Sequence, residues 1–224
     1  MRHIVDAIFN DSPRVHQGET ETRRVISPSE SILPEAALQS LAAGEPVCWG
    51  IAKEAGLFLY DAIKPGWRTL ETGAGLSTLV FALARARHIA VTPNPGEVTA
   101  IKNYAAAKGI GLGSVRFVVA KSEEYLPRAK PTPLDCVLID GKHAFPWPML
   151  DWFYTAGRLR KGGLLALDDL ALPAVDVLRR FLDGDERWRA RERFADKTAV
   201  YVKTSDTVHD VAWHMQRFGP AAPA

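Results

Sequence analysis

The chain is poor in cysteine, in long apolar runs and in blocks of like charge. Its two cysteines, Cys48 and Cys136, lie far apart in 224 residues. No pair has the spacing of a metal site, and a disulfide scaffold is not expected. Cys136 sits inside an apolar strand and reads as a buried thiol. No apolar run reaches spanning length, so no membrane partner is expected. The opening stretch "MRHIVDAIFNDSPRVHQ" turns polar within a few residues and has no apolar core of a signal peptide. The expectation is a cytoplasmic protein. Net charge is +2, with acids and bases interspersed. Nothing resembles a basic arm, so no nucleic-acid partner is expected.

What remains is ordinary globular material: 47% apolar and 24% charged residues. The length suits one domain. Residues 1–30 lack clear periodicity and are expected to form an irregular arm. Residues 31–224 are expected to be a single domain whose first part, 31–66, is helical. That part contains "SPSESILPEAALQSLAAG" and "GIAKEAGLFLYDAIKPG", the second stopped by Pro65-Gly66.

A regular alternation follows. The strands are "WRTLE", "HIAVT", "VRFVVA", "LDCVLID" and "LLALDD". The helices are "LSTLVFALARA", "PGEVTAIKNYAAAKG", a turn in "SEEYLPRA", "PWPMLDWFYTAGRLRKGG" closed by Gly162-Gly163, and "PAVDVLRRFLDG". Short apolar strands alternating with helices predict βαβ units and a doubly wound parallel sheet. "WRARERF" and "TAVYVK" are too close for a crossover and predict an antiparallel hairpin. "HDVAWHMQRFG" looks like a terminal helix. The predicted fold is α/β, a seven-stranded, mostly parallel sheet.

In such sheets ligands bind beyond the carboxyl ends of the strands. The loop "LETGAGLST" leaves the first strand there. Gly73 and Gly75 allow a tight turn and close backbone approach to a ligand, and the helix start favours an anionic group. The loop lacks a dinucleotide fingerprint. Thr78 stands where its third glycine belongs, and Thr92 where an acid would hold a ribose. The acids Asp140, Asp168 and Asp169 end neighbouring strands and can converge. Three carboxylates in one crevice repel, and without a cation one would be driven to protonate. A hard divalent cation resolves this, and oxygen ligands favour Mg2+, Ca2+ or Mn2+. Alternatively, Asp168 or Asp169 could cap the helix near Pro173. Lys142 reads as a surface charge, Trp152 as core, and Trp147 as a residue of the site's mouth.

"LETGAGLST" resembles the first motif of class I S-adenosylmethionine-dependent methyltransferases, and the terminal hairpin matches that fold. The resemblance spans roughly residues 47–204. It implies that Glu71, Thr72, Gly73, Ala74, Gly75 and Ser77 wrap the methionine part of the cofactor. Thr92 and Asn94 would face the ribose, where the family usually has an acid; Glu97 is a displaced substitute. Ser122 and Glu123 would frame the adenine, with Asp140 nearby. "IDGKHAFPWPMLDW" with "LALDDL" is similar to cation-dependent O-methyltransferases of the catechol, caffeoyl-coenzyme A and antibiotic-tailoring types. That likeness implies Mg2+ or another divalent cation on Asp140, Asp168 and Asp169, with His143 as general base where many relatives have lysine. It further implies a small-molecule hydroxyl as methyl acceptor. A homodimer is the expected assembly.

Overall fold

The structure is a computed structural model that describes residues 2–11, 15, 50–208 and 212–215. Seven strands form one sheet: β1 (Arg68–Thr72), β2 (Arg87–Thr92), β3 (Val115–Val119), β4 (Leu134–Ile139), β5 (Leu159–Leu167), β6 (Trp188–Phe194) and β7 (Thr198–Lys203). Their order is β3-β2-β1-β4-β5-β7-β6. The first five strands are parallel, and β7 runs antiparallel to both β5 and β6. The chain therefore reverses direction in the sheet between β1 and β4, where two loops separate and leave a crevice.

The helices are α1 (Arg2–Asp11), α2 (Lys53–Ala62), α3 (Leu76–Leu83), α4 (Pro95–Ala107), α5 (Ser122–Tyr125), α6 (Trp147–Ala156) and α7 (Pro173–Gly184). A side chain on a strand alternates between faces. Leu138, Leu164 and Ala166 accordingly join the core under α1 to α4, while Val137, Ile139, Leu165 and Leu167 join the core under α6 and α7. Both faces are covered, which is why the central strands read as continuous apolar runs.

Three sequence expectations change. Part of the supposed irregular arm is helix α1, which buries Val5 and Ile8 in the core. Its Phe9 lies so close to Gly56 that a Cβ there would come within 2.3 Å of the ring. Gly162-Gly163 does not end a helix: α6 stops at Ala156, and both glycines belong to the irregular start of β5. "HDVAWHMQRFG" shows only a short 3-10 turn at Trp213–Met215, its other parts lying mostly outside the described residues. The expected helix within 31–49 and Cys48 also lie outside them. Cys136 is buried and unpaired. Among the described residues no helix is long and apolar enough to cross a membrane.

Candidate active site

The crevice beyond the strand ends holds a cavity of about 620 Å³, a size typical of small-molecule sites. Of the expected residues, Thr72, Gly73, Ala74, Thr92, Asn94, Ser122, Glu123, Asp140, His143 and Asp169 line it. Glu71, Gly75, Ser77 and Asp168 stand outside its wall.

Gly73 turns the chain out of β1 with φ at +87°. A Cβ there would sit 2.1 Å from the carbonyl oxygen of Asp140. The close approach that requires glycine is thus to the backbone after β4 as much as to any ligand. Glu71 supports the loop from below. It is fully buried, accepts a hydrogen bond from Thr78 Oγ1, and lies 3.1 Å from His88 Nε2. Thr78 in turn accepts from the Gly75 amide at 3.1 Å. The residue in the missing glycine's place therefore ties the loop to the first acid. His88, which the sequence did not single out, completes this network through Thr69 at 2.8 Å.

The second strand end supplies the acid its sequence lacks. Glu97, in the first turn of α4, lines the cavity and accepts from Thr92 Oγ1 at 2.6 Å. Asn94 caps α4 by accepting from the Gly96 amide at 2.8 Å. Burial pushes the Glu97 carboxyl up, against the pull of its hydrogen bonds from Thr92 and Asn94.

The adjacent acids after β5 face different ways. Asp168 is fully buried; Thr198 Oγ1 donates to one oxygen and Lys197 Nζ to the other at 2.6 Å. Asp169 adopts a left-handed φ of 58°, which swings its carboxylate to the cavity. Lys197 also donates to Asp169. The other Asp169 oxygen lies 3.4 Å from His143 Nδ1, and His143 Nε2 lies 3.5 Å from Asp140 Oδ1. Neither acid caps α7, whose N-cap is Leu172. Lys197 was missed in the sequence, yet the topology places it. The β5–β7 pairing ends with Leu167 opposite Ala199, so Thr198, the first residue of β7, and Lys197 just before it fall beside Asp168 and Asp169.

The charges shift each other. Burial and the charge of Asp168 push Asp140 up to about 8, against the opposing effect of His143. Burial lowers the His143 pKa, but Asp140, Asp169 and Asp168 outweigh it and the net shift is upward. Burial would also discharge Lys197; Asp168 and Asp169 reverse that and hold the ammonium charged. Burial pushes the Asp151 carboxyl up to about 6, against the pull of hydrogen bonds from Ser122 and Thr72, which line the cavity.

The expected three-aspartate cation site is not what these residues make. Asp168 spends both oxygens on Thr198 and Lys197. What comes together is Asp140, His143 and Asp169, with one donor atom of each within 4.8 Å of the others. A nitrogen replaces one carboxylate, and one Asp169 oxygen already serves Lys197. This set does not fit the oxygen-only site of a hard cation.

Lys142 is less detached than its sequence suggested: its ammonium lies 3.4 Å from the centre of the Trp147 ring, and both line the cavity. Trp152 packs on Phe181 and Trp188 in the core, as expected.

Residues 70–170 match a family model described as a methyltransferase domain. No curated protein sequence matches the chain. Among solved structures, the O-methyltransferase TomG from Streptomyces achromogenes, involved in tomaymycin synthesis and bound to S-adenosylmethionine, is 19% identical. The match covers 90% of this chain and 96% of that one, with a TM-score of 0.61. A putative caffeoyl-CoA O-methyltransferase from Staphylococcus aureus is 14% identical over 90% of this chain and 97% of its own, at TM-score 0.59. An rRNA methylase from Streptococcus thermophilus is 14% identical over 68% and 96%, at 0.53. These likenesses give the fold. Residues 70–170 are thus similar to a methyltransferase domain, and the chain shares the fold of these O-methyltransferases.

Proposed function

We propose that this chain is a class I S-adenosylmethionine-dependent methyltransferase that methylates a hydroxyl of an apolar small molecule in the cytoplasm, with His143 as general base. One observation carries this reading. His143 walls two spaces at once: the large cavity and a separate hollow of about 320 Å³ lined by Ala144, Phe145, Pro173, Ala174 and Val177. The first suits a polar cofactor. The second is apolar and suits the acceptor.

When bound, S-adenosylmethionine supplies a methyl group on a sulfonium. The Thr72–Ala74 loop, Glu97 with Thr92, and Ser122 with Glu123 would hold its three parts in turn. His143 Nε2, which faces Asp140 Oδ1 at 3.5 Å, is the atom assigned to take the hydroxyl proton. Asp169, facing Nδ1, orients the ring and stabilises the imidazolium once the proton has arrived. Most of the rate then comes from holding the oxygen in line with the methyl carbon.

The test is calorimetry with S-adenosylhomocysteine, then a screen of phenols and apolar alcohols for its release. Binding without turnover in His143→Ala supports the reading. No binding by the wild type, or turnover on rRNA alone, overturns it. A second reading, in which a divalent cation joins Asp140, His143 and Asp169, draws on their closeness; a one-to-one metal response is its mark. A homodimer belongs to the proposal, checked by light scattering.

A further inference from the structure

We propose that Lys197 is the built-in cation of this site: its ammonium takes the place of a divalent metal between Asp168 and Asp169 and makes such a metal dispensable. The proposal rests on reading the cavity as the methyl-transfer site.

Three carboxylates in one crevice need positive charge nearby. The chain supplies it from within. Lys197 Nζ lies 2.6 Å from Asp168 Oδ2 and also donates to Asp169 Oδ1. Thr198 Oγ1 occupies the remaining Asp168 oxygen. A metal on Asp168 would have to displace both donors from a side chain that is 0% exposed. The placement is also not accidental to one rotamer. The antiparallel register of β7 on β5 carries positions 197 and 198 beside 169 and 168, and the Leu170 amide donates to the Lys197 carbonyl at 3.0 Å. The backbone thus anchors the lysine on the acids it neutralises.

The function of the pair follows from its geometry. Asp169 sits at a left-handed φ of 58° with one oxygen on Lys197 and the other facing His143. Lys197 is therefore a positioning residue. It fixes the rotamer of Asp169, and Asp169 orients the base. An ammonium makes fewer directional demands than a metal and leaves no open coordination position for substrate. The acceptor oxygen then meets His143 rather than a metal.

The test uses the full chain with Mn2+ as the probe, followed by electron paramagnetic resonance, and thermal melts with S-adenosylhomocysteine in the presence of Mg2+ or a chelator. For the wild type, free Mn2+ is expected to stay unbound at protein-stoichiometric levels, and the melting temperature to ignore both Mg2+ and chelator. Lys197→Met uncovers two acids, and its Mn2+ affinity is expected to rise at least about tenfold with a melt that now responds to Mg2+ by mass action. Lys197→Arg is expected to keep the metal indifference. If Lys197→Met fails to fold, Asp168→Asn with Lys197→Met restores the charge balance at Asp168 and is expected to fold without metal. One-to-one Mn2+ uptake by the wild type, abolished by Asp169→Asn, overturns the proposal; so does a folded Lys197→Met protein that stays blind to Mn2+. A wild type that binds no S-adenosylhomocysteine would instead sink the functional reading, leaving the Mn2+ result to judge the lysine.

Discussion

Gly73 and Asp140 meet backbone to backbone: a Cβ on the glycine would lie 2.1 Å from the aspartate's carbonyl oxygen. The loop after β1 and the loop that carries Asp140 and His143 are thereby one mechanical unit. Gly73→Ala combines a positive φ with this overlap. It is expected to cost roughly 2–4 kcal/mol in urea unfolding. Binding of S-adenosylhomocysteine should weaken with it. A fully stable, fully binding variant would show that the loops are independent.

Glu97 should carry the ribose. A diol donating to a carboxylate is a charge-assisted contact, so Glu97→Gln is expected to weaken S-adenosylhomocysteine by roughly tenfold or more. Because burial raises the Glu97 pKa, affinity should fall on acidification at a higher pH than an ordinary glutamate would dictate. Calorimetry across pH checks both points, and an unchanged affinity in the variant would remove Glu97 from the site.

The base should titrate late. Asp140, Asp169 and Asp168 raise His143 above its ordinary 6.5. As a base it works deprotonated, so the acidic limb of the rate profile should lie above that value. Asp140→Asn removes a raising partner and should move the limb, and the His143 resonance in NMR, to lower pH. A limb that stays in place would show that Asp140 does not act on His143.

The same shifts set a sign for stability. Asp140 and His143 both have folded pKa values above their unfolded ones. The folded state therefore holds extra protons, and this stabilisation is lost as pH rises through the raised values, to about 8 for Asp140. Relative to wild type, Asp140→Asn should gain stability between about pH 4 and 8. Paired urea melts test this; a difference that shrinks with rising pH would contradict it.

Phe145 should matter for the acceptor alone. It is 70% exposed on the rim of the apolar hollow. Phe145→Ser should raise the acceptor KM several-fold while leaving S-adenosylhomocysteine binding intact. Equal loss of both would place the acceptor elsewhere.

The alternation of strands and helices was readable because burial on both faces gives each central strand an apolar run and each helix a stop. β5 defeated the reading at its start: "RLRKGG" has no strand pattern, and only its pairing with β4 makes it one. Asp140, His143 and Asp169 were readable because they follow strands directly. Glu97 was visible only as a displaced acid, since its reach depends on the turn at Asn94. Asp168 looked like a ligand because sequence cannot say which of two adjacent acids turns inward. Lys197 was hidden for a different reason. Its neighbours are 28 and 29 residues away, and only the antiparallel β7 brings them together.

That hairpin also sets an order of assembly. On the ribosome, β1 to β5 and both cavity loops emerge before Lys197 exists. Until β7 docks, Asp168 and Asp169 lack the counter-charge of Lys197. Competence for ligand should therefore appear late and abruptly in synthesis, with the closing of the last hairpin. Stalled chains ending before Trp188 should not retain S-adenosylhomocysteine, whereas chains with Lys203 clear of the exit tunnel should.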